Sequence, residues 1–295
     1  MEAALVDDAG MLIPGTRERR PTGAGATSEQ LVAAVRGVVG ATLRTLPDGA
    51  SLIGAGIGAA GPIEVAPGLA SPLNLPAWRG YPLRPLVAES VPGLPVTMRM
   101  DGLCITLAEH WIGAARGRTD VMGMVVSTGI GGGLILGGHT VAGPTGNAGH
   151  IGHVEVAGFD DDCPCGGRGC LEAVASGPRT VLWARTQGFE GSTGEELAAA
   201  YSVGDEVAVR AVRRAGHAIG QAIASAASLV DLDLVAIGGG FSHVTTDLFD
   251  FIRESIASRS QFGFVTKVQV VPSALSGEGP LIGAAALIHR AELVA

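Results

Sequence analysis

Residues 149–177 read GHIGHVEVAGFDDDCPCGGRGCLEAVASG and contain three of the four cysteines of the 295-residue chain. Cys163, Cys165 and Cys170 follow one another closely, and His153 precedes them. Three thiolates and one imidazole form a closed tetrahedral set of the kind that holds a structural zinc ion. The alternative is three free or transiently oxidised thiols, but a disulfide between Cys163 and Cys165 would be strained. We therefore predict a structural zinc site in this segment, the zinc loop.

The composition predicts a cytoplasmic protein that binds neither membranes nor nucleic acids. The sequence has no run of about 18 uninterrupted apolar residues, so no transmembrane helix is expected. Its first ten residues, MEAALVDDAG, lack the basic and apolar regions of a secretory signal. A net charge of −8 opposes a nucleic-acid surface, which needs clustered Lys and Arg. Cytoplasmic thiols stay reduced, which again favours metal binding over disulfides.

Apolar patterning predicts strands that alternate with helices, which is typical of an α/β fold. Predicted strands lie at residues 4–6, 11–13, 52–57, 96–100, 121–127, 134–136, 234–237 and 268–271. Predicted helices lie at residues 28–46, 102–111, 193–201, 205–229, 246–258 and 279–293. Residues 61–85 are predicted as a Pro/Gly-rich loop, and residues 128–133 as a glycine turn. The two halves predict two lobes with a ligand cleft between them.

The cysteine segment, from His153 through Cys-Pro-Cys to Cys-Leu-Glu at 170–172, resembles the signature of the ROK family of sugar kinases and sugar-responsive repressors. Further segments resemble motifs of this family: Gly-Pro-Ile at 61–63, Asn-Leu-Pro-Ala-Trp at 74–78, Thr-Gly-Ile-Gly-Gly-Gly at 128–133, Ile-Gly-Gly-Gly at 237–240 and Gly-Ala-Ala at 283–285. The resemblance covers nearly the whole chain. It implies the two-lobed actin/hexokinase (ribonuclease H-like) fold with a structural zinc loop. We expect lobes at residues 1–112 and 113–295, with the last helix packing back on the first lobe.

The resemblance also implies which residues contact the sugar. By it, His153 is both zinc ligand and sugar contact, and Glu172 accepts hydrogen bonds from sugar hydroxyls. Gly61, Asn74 and His150 complete the sugar side. A carboxylate can accept two hydroxyl donors at once, and a metal on one imidazole nitrogen fixes where the other points. The alternative for Glu172 is a solvated residue at a helix start.

Asp101 is the predicted catalytic base. It follows a predicted strand and precedes a helix, at the carboxyl edge of the sheet where α/β proteins place functional groups. Residues 100–109 resemble the family's N-D-x-N…L-A-E segment, and Asp101 falls on its catalytic aspartate, which also contacts the sugar. The alternative is a plain helix N-cap.

Two glycine-rich segments predict the nucleotide side. Free amides in such turns can cradle phosphate oxygens, although glycines also make ordinary hairpins. Together the two segments favour a nucleotide cleft, and the resemblance implies ATP and Mg²⁺ as its ligands. The predicted nucleotide contacts are Thr128, Gly129, Gly131, Gly132, Gly238, Gly239 and Gly240.

The chain departs from the family pattern at three places. Family members begin with a strand ending in D-x-G-G-T that grips phosphates, and this sequence starts at what resembles the second strand, so we expect the first strand to be missing. Met100 and Leu103 replace two asparagines, the first of them a sugar contact, and His150 replaces a sugar-binding glutamate. Losing a buried polar partner costs about 1–3 kcal/mol. We therefore expect Met100 to face a modified hexose, amino sugar or cyclitol rather than plain glucose.

The sequence predicts a carbohydrate kinase that binds a sugar and a nucleotide and assembles as a homodimer or homotetramer, as relatives commonly do. The phosphoryl donor is ATP or polyphosphate. One alternative is a non-catalytic sugar-binding protein, either a degenerate kinase or a repressor core; the missing phosphate loop favours it, but the acidic charge and the lack of a helix-turn-helix oppose a repressor. The other alternative is a zinc-stabilised scaffold that binds no small molecule.

Overall fold

The computed structural model describes residues 1–294 as a mixed α/β protein. Its strands are β1 (Glu2–Ala3), β2 (Glu18–Arg19), β3 (Ala55–Ala59), β4 (Ile63–Glu64), β5 (Leu69–Ala70), β6 (Val96–Met100), β7 (Val121–Val126), β8 (Ile130–Leu136), β9 (His139–Thr140), β10 (Leu234–Gly238) and β11 (Gln269–Pro272). Its α-helices are α1 (Ser28–Leu43), α2 (Leu83–Ala88), α3 (Asp101–Trp111), α4 (Leu171–Ala175), α5 (Gly177–Thr186), α6 (Gly194–Ser202), α7 (Glu206–Val230), α8 (Asp247–Arg259), α9 (Gly263–Thr266) and α10 (Gly279–His289). None of the helices in residues 1–294 has the length and apolar character needed to span a bilayer.

The largest sheet has five strands in the order β11-β10-β7-β8-β9. β10 runs parallel to both β11 and β7, whereas β7 and β8 form an antiparallel hairpin that pairs Val126 with Ile130. Every residue of β10 is buried, as expected for a parallel strand covered on both faces. The 25-residue helix α7 packs on α8, and glycines bring the two backbones together: a Cβ on Gly216 would lie 2.6 Å from Cβ of Phe251.

A smaller sheet consists of β3 and β6, which are parallel and pair Ala55 with Val96 and Ala59 with Met100. Its core is built with α1, which begins with a capping box formed by Thr27 and Gln30. The Trp78 ring is fully buried there and stacks on Tyr81, with 4.4 Å between ring centroids.

Two helices, α3 and α10, join these sheets. α3 begins directly at the end of β6 and packs on β7, β8 and α10, while α10 also packs on β3 and β6. A side chain on Gly283 would collide with the carbonyl of Cys104 in α3, and one on Gly56 with the carbonyl of Ala284 in α10. Glycine at these positions therefore permits direct backbone contact. The predicted lobe boundary between residues 112 and 113 remains a prediction.

Glu109, near the end of α3, is a buried carboxylate that binds both connections between the sheets. It accepts hydrogen bonds from the Ala114 amide at 2.7 Å, from the Ala274 amide at 3.3 Å and from the Ser273 hydroxyl. Only 1% of Glu109 is exposed. Three donors satisfy a charge that would otherwise be costly to bury.

A cavity of about 940 Å³ lies between the N-terminal residues 1–8 and β3. Apolar side chains of α1 and α10 line it, including Val35, Val38 and Ile288. Within residues 1–294, β3 pairs only with β6, so its other edge faces this cavity. Asn74 and Asp101 also line the cavity. The expectation of a missing first strand remains a prediction.

Most predicted elements form, but several differ in extent; the last helix, predicted at 279–293, ends at His289. The hairpin at residues 4–13 has a single antiparallel bridge, between Val6 and Leu12, although the Asp7 amide does close the turn onto the Met11 carbonyl at 3.0 Å. The strand predicted at 52–57 is shifted to Ala55–Ala59, where β6 provides a partner. Residues 61–85, predicted as a loop, contain β4, β5 and α2.

The predicted glycine turn at residues 128–133 is wrong in its second half. β8 already begins at Ile130, so Gly131, Gly132 and Gly133 pair with β7. The reason is packing, because a side chain on Gly133 would meet the Leu103 backbone of α3. Gly133 therefore makes room for a helix, and none of the three glycines lies in a turn.

Candidate functional site

The four predicted metal ligands come together in the zinc loop. One ligand atom from each of His153, Cys163, Cys165 and Cys170 lies within 4.8 Å of all the others. His153 Nδ1 is 3.7 Å from Cys163 Sγ, and Cys165 Sγ is 3.7 Å from Cys170 Sγ. A tetrahedral zinc ion with Zn–S bonds of about 2.3 Å places its sulfurs about 3.8 Å apart. The spacing and the donor set therefore fit zinc.

The cysteine pKa values depend on burial within the loop. Burial raises the pKa of Cys170 to about 12 and raises that of Cys163, whereas the Gly167 amide that faces Cys165 lowers the pKa of Cys165. Metal binding needs thiolates, so uptake of an ion by this cluster must release protons.

Backbone hydrogen bonds close the zinc loop at its base. The Leu171 amide donates to the Val154 carbonyl at 2.9 Å, and the Gly169 amide donates to the Asp161 carbonyl at 2.9 Å. Gly169 has φ of +66°, a conformation that favours glycine. α4 begins at Leu171, directly after the last cysteine, so the metal ligands and Glu172 are held in one rigid unit.

The carboxylate of Glu172 is held against the turn between β7 and β8. Its Oε2 accepts a hydrogen bond from the Ile130 amide at 2.8 Å, and a Cβ on Gly129 would lie 2.5 Å from the same oxygen. Glu172 is partly buried, so it is not a freely solvated helix-start residue. A residue predicted for the sugar side thus touches a segment predicted for the phosphates.

His150 lies between the zinc loop and the Gly61 loop. Its ring stacks on that of His153, with 4.9 Å between centroids, and its buried Nδ1 has no hydrogen-bond partner. Burial lowers the pKa of His150, the neighbouring His153 lowers it further, and Glu172 raises it. A Cβ on Gly61 would lie 2.7 Å from His150 Nε2 and 3.1 Å from the Met100 sulfur, which is buried in the core.

Asp101 begins α3, where Met100 and not Asp101 occupies the N-cap position. Its Oδ1 accepts a hydrogen bond from the Gly102 amide at 2.7 Å. Burial raises the pKa of Asp101 to about 6; the Gly102 amide lowers it and the negative charge of Glu172 raises it. A carboxyl group that ionises near neutral pH is suited to general base catalysis.

The two predicted phosphate segments are neighbours in space. β7 and β10 are adjacent parallel strands, so the turn after β7 and the glycines after β10 lie at one sheet edge. A Cβ on Gly239 would lie 2.6 Å from the Val126 carbonyl, and one on Gly240 would lie 3.6 Å from Ser127 Oγ. Gly238 is the last residue of β10, and Thr128 is exposed in the neighbouring turn.

Two predicted nucleotide contacts, Gly131 and Gly132, lie in a strand and not in an open turn. A Cβ on Gly131 would lie 3.8 Å from Asp101 Oδ1, and one on Gly132 would lie 2.8 Å from Cγ2 of Ile151. Their position beside the predicted base follows from the packing of α3 on β8.

Asn147 is a site residue that the sequence analysis missed. Its amide group forms two hydrogen bonds with the backbone of Ile63: the Ile63 amide donates to Oδ1 at 2.9 Å, and Nδ2 donates to the Ile63 carbonyl at 2.7 Å. These two hydrogen bonds join the segment before His150 to the segment that contains Gly61. The only signal in the sequence was one amide side chain within a glycine-rich segment.

Comparisons with known proteins identify the relatives of this chain. The family model described as "ROK family" matches residues 1–291. A glucokinase of Thermotoga maritima is 32% identical over 84% of this chain and 83% of its own length. An N-acetylmannosamine kinase of Yersinia pseudotuberculosis is 31% identical over 99% of this chain and 95% of its own length. The crystal structure of a ROK family glucokinase from Streptomyces griseus in complex with glucose and AMPPNP aligns with a TM-score of 0.82 at 29% identity, covering 97% of this chain and 95% of that one.

Proposed function

Because this chain belongs to the ROK family, we propose that it is an ATP-dependent carbohydrate kinase that phosphorylates one hydroxyl of a hexose or hexose-like sugar. The observation that carries this proposal is Asp101, whose buried carboxyl group has a pKa of about 6 and lies in one neighbourhood with Glu172. Two lobes, residues 1–112 and 113–295, would enclose the ligands.

In the proposed reaction, Asp101 removes the proton from the acceptor hydroxyl. The freed oxygen bonds to the terminal phosphorus of ATP, the bond from that phosphorus to the bridging oxygen breaks, and ADP leaves. General base catalysis of this kind contributes about 10²–10⁴-fold. Mg²⁺ bound with ATP would neutralise charge on the phosphates.

On the sugar side, Glu172 and the two imidazoles orient the substrate. The Ile130 amide engages Oε2 of Glu172, which leaves Oε1 to accept sugar hydroxyls. His150 Nδ1 lacks a partner and can bond to a ligand. Zinc would fix the loop that carries His153 and the start of α4. Gly61 and Asn74 are proposed as further sugar contacts.

On the nucleotide side, we assign direct phosphate contacts to the turn at Thr128 and Gly129 and to the segment Gly238, Gly239 and Gly240. Gly239 has a positive φ, a backbone conformation that favours glycine. Gly131 and Gly132 are not assigned phosphate contacts in this proposal, because they lie within β8. The neighbouring Gly133 is the residue whose lack of a side chain lets the Asp101 helix approach the sheet.

The substrate class that fits best is a hexose carrying an N-acyl group. Met100 is buried in the core beside Gly61 and offers no hydrogen-bonding group to a sugar hydroxyl, and His150 offers one ring nitrogen rather than a carboxylate. A sugar hydroxyl that needs two such polar partners would lose hydrogen bonds here, which favours a sugar in which an N-acyl group replaces a hydroxyl. The relative named N-acetylmannosamine kinase covers 99% of this chain. Other modified hexoses and cyclitols are the alternatives.

The test is a transfer assay with the purified protein, Mg²⁺ and ATP. Glucose, N-acetylmannosamine, N-acetylglucosamine and myo-inositol are offered separately, ADP is measured, and the product is identified by mass spectrometry. We expect kcat/KM for one N-acetyl sugar to exceed that for glucose at least tenfold, because one lost buried hydrogen bond has about this effect. Polyphosphate replaces ATP in a parallel arm.

The outcomes separate the alternatives. Sugar binding without transfer from either donor would identify a non-catalytic sugar-binding protein. If no sugar raises the melting temperature, the protein is a scaffold and the proposal fails. Light scattering of the same sample tests the predicted homodimer or homotetramer, and elemental analysis tests for zinc.

A further inference from the structure

One guanidinium outside the metal cluster joins the zinc loop to the core of the molecule. Arg214 lies on α7, and its Nη2 donates to both carboxylate oxygens of Asp161, at 2.8 and 2.7 Å. Its Nη1 donates to the Val174 carbonyl in α4 at 2.8 Å. Only 14% of the Arg214 side chain is exposed, and 28% of that of Asp161. The pair is therefore more shielded from water and salt than a surface ion pair.

Two aromatic rings hold the same guanidinium. The Arg214 Cζ atom is 4.9 Å from the ring centroid of Phe159 and 5.2 Å from that of Trp183. A planar cation against aromatic faces is attracted by their negative faces. Arg214 thus contacts the zinc loop before its first cysteine, through Phe159 and Asp161, and α4 after its last cysteine, through Val174.

We propose that Arg214 is a positioning residue that holds the zinc loop and α4 in their ligand-binding arrangement. Asp161 precedes Cys163 by two residues, and Val174 follows Glu172 by two residues. One side chain therefore fixes both ends of the segment that carries the three cysteine ligands and the sugar-side carboxylate. A segment ordered in advance loses less conformational entropy when an ion or ligand binds, which strengthens binding.

The test uses Arg214→Lys, since lysine keeps the charge but lacks the planar fork needed for bidentate and stacked contacts. Arg213→Lys is the matched control. Arg213 immediately precedes Arg214 on α7 and is exposed, and its Cζ atom lies 4.7 Å from the ring centroid of Phe251, away from the loop. Zinc release from each zinc-loaded protein to a chromogenic chelator is followed over time. We expect at least tenfold faster release from Arg214→Lys, and release within twofold of the original rate from Arg213→Lys.

A second variant guards against a folding defect. Asp161→Asn keeps the shape of the side chain but removes its charge, and it should also speed zinc release. The double variant Arg214→Lys/Asp161→Asn should release zinc no faster than the single variant that releases it faster, because both changes break the same interaction. Equal release from Arg214→Lys and Arg213→Lys, or fully additive effects in the double variant, would overturn the proposal.

Hydrogen exchange adds a measure that does not depend on enzymatic activity. Amides of residues 159–176 should exchange faster in zinc-loaded Arg214→Lys than in Arg213→Lys, while β7 and β10 remain unchanged. A weaker affinity for the sugar is also expected, and this part rests on the proposed function. If zinc release and exchange change as expected but no sugar binds to any form, Arg214 is confirmed as positioning the loop and the kinase proposal fails.

Discussion

Two carboxylates of the candidate functional site, Asp101 and Glu172, have different surroundings and therefore suit different roles. Asp101 is buried with one amide donor, and its pKa is raised to about 6. Glu172 is fixed by the Ile130 amide across a strand connection. Burial favours the neutral acid, so Asp101 can exchange a proton near neutral pH. We therefore propose that environment, and not residue type, assigns Asp101 the role of base and Glu172 that of binding group.

The pH dependence of turnover follows from the ionisation of Asp101. A general base must be deprotonated, so kcat/KM should fall about tenfold for each pH unit below about 6 and level off above it. Initial rates between pH 4.5 and 8 measure this, with the melting temperature recorded at each pH as a control for unfolding. A profile that stays flat down to pH 5 would contradict the assignment of Asp101 as base.

The same pKa predicts a stability change. Asp101 ionises near 3.8 in an unperturbed chain and near 6 in the fold, so its ionisation costs stability as pH rises through this window. Asp101→Asn removes that cost and should stabilise the protein at pH 7.5 by up to about 3 kcal/mol, with little difference near pH 3.5. Urea unfolding at both values measures this change in the free energy of unfolding. A variant that is less stable than the original at pH 7.5 would show that Asp101 is better accommodated as an anion.

At the scale of elements, the glycines of β8 show why one segment was mispredicted. A glycine run predicts either a turn or a close approach of another backbone, and the sequence of the run is the same in both cases. Here α3 lies against Gly133, and the contact depends on residues that are distant in sequence. By contrast, the apolar runs of β7 and β10 are local signals, and the strands predicted from them at 121–127 and 234–237 were confirmed to within one residue.

Replacing individual glycines in β8 tests the packing role. Gly133→Ala places a methyl group against the α3 backbone and should destabilise the protein by about 1–3 kcal/mol. Gly131→Ala is the matched control, because its Cβ would meet only Asp101 Oδ1 at 3.8 Å, an ordinary contact. Chemical denaturation of both variants gives the comparison. Equal stability of the two would mean that α3 can shift away from β8 at no cost.

At the scale of the whole molecule, the zinc loop carries both the four candidate metal ligands and Glu172, a residue of the candidate functional site. The sequence could indicate the four candidate ligands and the candidate base because each belongs to a recognisable segment. It could not indicate the side chains that hold those segments, because Arg214 meets Asp161 across 53 residues and Asn147 meets Ile63 across 84. Such pairings follow from the folded arrangement and have no spacing that could be recognised in the sequence.

Removing zinc should therefore weaken sugar binding without unfolding the protein. The core around α7 and the five-stranded sheet does not include Cys163 and Cys170, which form a separate small cluster with Ala173. Treatment with a chelator should lower the melting temperature and weaken sugar affinity at least tenfold, with the far-ultraviolet circular dichroism nearly unchanged. Added zinc should restore both. Retention of full affinity by demonstrably metal-free protein would show that the loop keeps its shape without the ion.

The backbone contact of α10 with α3 has a mechanical consequence. For one helix to slide past another, its side chains must move from one groove of the neighbouring helix to the next. Here backbone carbonyl groups occupy the positions that Cβ atoms of Gly283 and Gly56 would take. The two helices and β3 are thus expected to turn as one rigid body, and a hinge would have to bend the connections that leave α3 and enter α10. Glu109 accepts hydrogen bonds from the amides of Ala114 and Ala274 in these two connections. One carboxylate would therefore lie at such a hinge.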